Sequence, residues 1–185
     1  MKQALIIIDM QNDFVLSGAP ACVAGAYATV PAICRLLADF RSRGLPVFHI
    51  IREYRPDGSD IEITRLVAFL NKGRYLLPGT SGAEIVEALK PVQGEYTIVK
   101  NRFSAFMNTE LDFMLRRLKV TDLVVCGTQY PVCVRATIFD AVCHGYHVTN
   151  IIDATSAATE EIAAANILDI RNIGVDCIMI DDFLK

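Results

Sequence analysis

Several short stretches of this chain are apolar at nearly every position, and that most limits what it can fold into. They are ALIIID (Ala4 to Asp9), PVFHII (Pro46 to Ile51), EYTIVK (Glu95 to Lys100), DLVVCG (Asp122 to Gly127), YHVTNIID (Tyr146 to Asp153) and DCIMI (Asp176 to Ile180). A strand with apolar side chains on both faces has to be covered on both faces. Parallel sheets between helical layers do this. The intervening segments have helical spacing and helix signals. Residues 26–44 end at Gly44, with the regular helix starting near Pro31. Ser81 to Glu84 reads as a capping box opening a short helix. Asn108 or Thr109 caps ELDFMLRRL, Pro131 to His144 follows the fourth strand, and Thr159 precedes EEIAAANILDIRNIG. RPDGSDIEI is a turn-rich loop. The pattern predicts a doubly wound α/β sandwich of about six strands. With 185 residues, it is read as one domain over residues 1–185.

Composition narrows the class of partner. A net charge of −3 argues against nucleic acid or an anionic membrane, each of which would call for a basic patch. No apolar run approaches the ~18 residues of a membrane span, and residues 1–8 lack a signal-peptide pattern, so a soluble cytoplasmic protein is expected. The six cysteines show no CxxC or metal-ligand spacing and are expected to be reduced.

Open α/β sheets bind ligands beyond the carboxyl ends of their strands. The residues leaving the strands at that edge are Asp9, Arg52, Lys100, the turn Gly127 to Cys133, and Asp153. A carboxylate, an amine and a thiol among them form a coherent chemical set. Of the cysteines, Cys126 and Cys177 lie inside strands and Cys34 inside a helix, while Cys143 falls on the apolar stripe Val132, Ala136, Phe139, Cys143. Cys133 sits about 100° away from that stripe, in the first turn of a helix opened by Pro131. Free amides and the helix dipole at that position would lower a thiol pKa and offer donors to an oxyanion. The competing reading is one more small buried residue. None of the three histidines suits the role of base: His144 and His147 flank the start of the fifth strand, and His49 reads as a core histidine. Asp9 remains as the base, with Lys100 as its electrostatic partner.

At the expected separations, ALIIIDMQNDFV, VKNRFSAF and VVCGTQYPVCVRATIFDAVCHGYHVTNIIDATSA resemble the isochorismatase-like cysteine hydrolases, whose members include nicotinamidases and amidohydrolases of N-carbamoylsarcosine, biuret and ureidoacrylate. The resemblance covers nearly the whole chain. It implies a three-layer α/β/α sandwich with a six-stranded parallel sheet in the order 3-2-1-4-5-6, and an Asp-Lys-Cys triad at Asp9, Lys100 and Cys133. It also implies a non-proline cis peptide joining Thr128 to Gln129, which would aim the Gln129 amide, with that of Cys133, at a substrate oxygen. The activity implied is hydrolysis of the C–N bond of a small amide or ureide through a thioester. A homo-oligomer, dimer or tetramer, is implied as well, and a mean hydropathy of +0.35 points the same way.

The chain also departs from parts of that family. Nicotinamidases carry Asp-x-His and a further histidine after the second strand, where they bind a metal. Here the stretch reads REYRPDGSDIEITR; it supplies Glu53, Asp57, Asp60 and Glu62 but no imidazole, so no metal and no cofactor are expected. Cysteine at the nucleophile position favours amide chemistry over the vinyl-ether hydrolysis of the isochorismate-cleaving members. Gln11, Phe14 and Tyr130 are expected to line the substrate pocket. Arg52 and Arg55 are read as surface ion pairs in preference to clamps on a substrate carboxylate. Three alternatives stay open: a family hydrolase of other specificity, a thiol redox protein using Cys133 with Cys126, and a non-catalytic nucleotide-binding module, for which no G-x-G-x-x-G follows the first strand.

Overall fold

The computed structural model describes residues 2–185. In chain order the elements are β1 (Gln3–Ile8), α1 (Asn12–Val15), α2 (Val30–Ser42), β2 (Val47–Arg52), α3 (Leu66–Asn71), β3 (Tyr96–Lys100), α4 (Leu111–Arg117), β4 (Asp122–Thr128), α5 (Arg135–Cys143), β5 (His147–Ser156), α6 (Glu160–Asn172), β6 (Asp176–Ile178) and α7 (Ile180–Phe183). The strands form one parallel sheet in the order β3-β2-β1-β4-β5-β6, as the resemblance implies. Side chains of a strand alternate between faces. On β1, Ala4, Ile6 and Ile8 therefore pack with Leu111, Leu115, Ile138 and Ile170 of α4, α5 and α6. Leu5 and Ile7 face the other way, against Ile33, Leu36, Leu37 and Phe40 of α2 and Ile180 of α7. Each of the larger of these side chains contributes roughly 1.5–3 kcal/mol by leaving water. Two apolar faces, each under helices, make the three layers.

Local signals behave as physics requires at several termini. Pro31 lies in the first turn of α2, and Gly44 takes the left-handed φ of 61° that ends it. Thr159 caps α6 by accepting the Ile162 amide at 3.3 Å. None of the described helices is long and apolar enough to cross a membrane.

The expected helix at Ser81 is absent. Ser81–Ala83 makes a single 3-10 turn without a side-chain cap. The chain then runs extended because its backbone pairs with the turn after β1: Asn12 N donates to Glu84 O, and Val86 N to Met10 O. Tertiary pairing outcompetes a marginal local helix.

β5 runs three residues beyond its expected end at Asp153 and carries an irregularity in register opposite Val125 to Gly127. Buried Asn150 staples it, donating to Val125 O (3.1 Å) and Thr155 Oγ1 (3.0 Å). Asp153 accordingly lies inside the strand, and its carboxylate accepts the Ile180 amide of α7 at 2.9 Å. It is a structural tie and takes no part at the sheet edge.

Candidate active site

Three neighbouring strands end in the residues that matter. Asp9 follows β1 with a left-handed φ of 53°, a conformation that aspartate tolerates better than most residues. Arg52 and Lys100 are register partners at the ends of β2 and β3. Lys100 Nζ lies 2.8 Å from Asp9 Oδ2, and Arg52 Nε lies 3.9 Å from the same oxygen. Gln11 locks this edge: its Oε1 accepts the Arg52 amide (2.7 Å), and its Nε2 donates to the carbonyls of Arg52 and Ala83 (2.8 Å each).

After β4 the Thr128–Gln129 peptide is cis, with Thr128 Oγ1 held by the Ser156 hydroxyl at 2.8 Å. Tyr130–Val134 forms a π-helical turn before α5. The Gln129 carbonyl accepts the Val132 and Val134 amides, each at 3.2 Å. The expected regular helix from Pro131 is thus corrected to a wider first turn, a form common at functional sites. The wider turn rotates the buried face. Cys133, Val134, Thr137, Ile138 and Ala141 point inward, and Cys143, expected in the core, is exposed.

The result is a sealed cluster of charge. Asp9 and Arg52 are 0% exposed, Lys100 1% and Cys133 3%. Arg52 Nη2 lies 3.4 Å from Cys133 Sγ and 2.7 Å from Arg102 O. Nη1 donates to Glu62 Oε1 at 2.8 Å and to the Tyr54 hydroxyl, which in turn donates to Glu62 Oε2 at 2.8 Å. Reading Arg52 as a surface ion pair is corrected: it is a fully buried cation, whereas Arg55 is exposed. Among the described residues, Asp9 Oδ1 and Arg52 Nε are buried polar atoms without a hydrogen-bond partner.

Burial pushes the Cys133 thiol up, the Asp9 carboxylate adds to this, and Lys100 and Arg52 pull it down without cancelling. The expected low-pKa thiol at a helix N-terminus is therefore corrected: desolvation by burial prevails over the neighbouring cations. Glu62 is held below the usual carboxylate range: burial opposes this, but the Arg52 guanidinium and the Tyr54 hydroxyl prevail. Cys126 is fully buried in β4 and its thiol is pushed well up by burial, so it is not placed to resolve a Cys133 disulfide.

The residues expected to line a pocket have other work. Gln11 clamps Arg52 as described. Phe14 packs in the apolar cluster under α2, and Tyr130 is buried with its hydroxyl donating to Asn150 Oδ1 at 2.7 Å. In their place, residues with no obvious sequence signal surround the charges. Phe103 lies over Arg52, 5.3 Å from the guanidinium carbon to the ring centre, and Tyr54 lies at 5.4 Å. A cleft of about 450 Å³ lined by Arg102, Phe103, Ser104, Pro131 and Arg135 flanks the Tyr130–Val134 turn. A smaller one of about 200 Å³ touches Tyr54 and Lys100.

A divalent metal does not fit this donor set. Asp57 and Asp60 accept backbone amides of their own loop, and Glu62 faces the buried guanidinium, whose charge would repel a second cation. His49, the core histidine, bonds Glu95 at 2.8 Å far along β2.

Fold and site together define a doubly wound α/β protein with a thiol, a carboxylate and an ammonium buried at the carboxyl edge of the central strands. The model of the isochorismatase domain matches residues 3–182, and the chain belongs to the isochorismatase family. The crystal structure of an isochorismatase family protein from Desulfovibrio vulgaris superposes with a TM-score of 0.95 at 52% identity, covering 99% of this chain and 98% of that one. A probable inactive nicotinamidase of Arabidopsis thaliana is 46% identical over 93% of this chain and 89% of its own. A ureidoacrylate amidohydrolase of Methylorubrum extorquens is 32% identical over 83% and 69%.

Proposed function

We propose that this protein is a cysteine-dependent hydrolase that cleaves the C–N bond of a small amide or ureide. The observation that carries the proposal is the buried Lys100–Asp9 pair beside the equally buried Cys133. A buried carboxylate held next to a thiol is a competent base for it. Asp9 takes the Cys133 proton, and the thiolate adds to the carbonyl carbon. The backbone amides of Gln129 and Cys133 hold the oxyanion, which for one good donor is worth about 3 kcal/mol. As the C–N bond breaks, Asp9 returns the proton to the departing amine, leaving a thioester on Cys133. Asp9 then accepts a proton from the water that cleaves it.

The ureidoacrylate amidohydrolase among the relatives supports a ureide substrate. The 46%-identical relative described as a probable inactive nicotinamidase agrees with poor use of nicotinamide here. An ammonia-release assay over nicotinamide, N-carbamoyl amino acids, biuret and ureidoacrylate tests this. Turnover of a ureide, unchanged after dialysis against EDTA, is the expected result. Efficient nicotinamide deamidation, or activity lost to EDTA and restored by zinc, would overturn it.

The protein is also proposed to act as a homo-dimer or tetramer. Ile63 and Val67, at the start of the α3 region, are 82% and 70% exposed, and Leu70 shares the face of α3 that carries Val67. Apolar side chains so arranged on a short helix are better buried against another subunit. Static light scattering is expected to give a multiple of 20.4 kDa, and a monomer at micromolar concentration would refute the assembly.

A further inference from the structure

We propose that Arg52 is a further catalytic residue, the counter-ion that receives the negative charge when Cys133 gives up its proton. This rests on the reading of Cys133 as the nucleophile. In that step the S–H bond breaks, an O–H bond forms on Asp9, and one unit of negative charge moves from carboxylate to sulfur. Lys100, at 2.8 Å from Asp9 Oδ2, favours the starting arrangement, because its charge is closest to the ionised carboxylate. Arg52 favours the product. Its Nη2 lies 3.4 Å from Sγ, whereas its nearest approach to Asp9 is 3.9 Å. Water cannot compensate the transfer in a cluster at most 3% exposed, so the nearby cations govern how far it proceeds: Lys100 also draws the thiol down, and Arg52 is the cation in contact with sulfur.

The guanidinium is built for this position. Arg102 O, the Tyr54 hydroxyl and Glu62 Oε1 fix its fork, while the rings of Phe103 and Tyr54 pack on it. A lysine ammonium cannot satisfy that planar set of acceptors. The charged and titratable groups facing the sulfur are Asp9 from β1, Arg52 from β2 and Lys100 from β3. Tyr54 and Glu62 stand behind Arg52, and Arg65 stacks on Phe103 at 4.7 Å. Glu62 draws on the same charge as the thiolate would, so the two should compete for Arg52.

The thiolate ultraviolet absorbance of the whole enzyme, titrated against pH with the Cys133→Ala variant as the blank, tests this. Arg52→Gln should raise the midpoint of Cys133 ionisation by about two pH units. It should also lower kcat at neutral pH by about 10²-fold, the factor that two pH units represent, with KM little changed and the rate recovering as pH rises. Arg52→Lys should fall between Arg52→Gln and the wild type. Glu62→Gln should move the midpoint the opposite way, to lower pH, and this variant decides the matter if Arg52→Gln does not fold. An unmoved midpoint in folded Arg52→Gln, or an unmoved or raised one in Glu62→Gln, overturns the assignment. Failure of the hydrolase reading is distinguishable, because it would appear as no turnover by the wild type while the titration still responds to Arg52.

Discussion

Cys133→Ala is expected to remove turnover almost completely, lowering kcat/KM by about 10⁵-fold, while leaving the protein folded. The thiol's polar side-chain neighbours are Arg52 Nη2 and the Asp9 carboxylate, both held by other partners, so deleting one buried sulfur costs about 1 kcal/mol and only a few degrees of Tm. Cys133→Ser should be nearly as inactive, because a serine hydroxyl is far too weak an acid for Asp9 to ionise. The serine variant separates two chemistries within the family. If water attacks the substrate directly, serine or alanine at position 133 would retain much of the rate, and covalent catalysis would be excluded. Acyl-thioester detected on Cys133 by rapid-quench mass spectrometry would give the positive result.

The second large effect concerns stability and falls on Gly127. Its φ of +113° lies outside what side chains tolerate, and a Cβ there would stand 2.2 Å from Ile8 O and 2.6 Å from Ile8 N. Both clashes are with the backbone of the neighbouring central strand, which cannot move without parting β1 from β4. Gly127→Ala should therefore cost at least ~4 kcal/mol from strain and overpacking together, lowering Tm by about 10 °C or more. Gly145→Ala is the control. Its φ is also positive, at 87°, but a Cβ there meets nothing within 4 Å, so it should lose only ~1 kcal/mol. Equal losses in the two variants would show that close packing of the central strands is not the cause.

The sheet was legible because its strands are apolar on both faces, and the edge residues Asp9, Arg52 and Lys100 could be read off once the strand ends were known. What eluded the sequence depends on partners far along the chain. The Ser81 capping box has the right letters, but residues 84–86 pair with the turn after β1 instead. The stripe through Cys143 assumed 3.6 residues per turn from Val132 onward, and the π turn breaks that count. The helices α3 and α7 are one or two turns long and carry too few residues for periodicity to show. Arg52 looked solvated because nothing local announces that Glu62, Phe103 and Arg102 O close over it. A buried charge is recognisable only with its partners in place, and those partners lie 10 and about 50 residues away.

The left-handed backbone at position 9 acts as a filter on which residues can occupy it, and the proposed chemistry, with Asp9 as the base, acts as another. Glycine and asparagine pass the first, since both enter that region readily, but neither can accept a proton from a thiol. Glutamate passes the second, but its longer side chain would displace the carboxylate from Lys100 Nζ, and it is less at ease at a φ of 53°. Aspartate passes both. One position where conformation and reactivity each leave a short list, with a single residue common to the two, has almost no room to drift while the activity is kept.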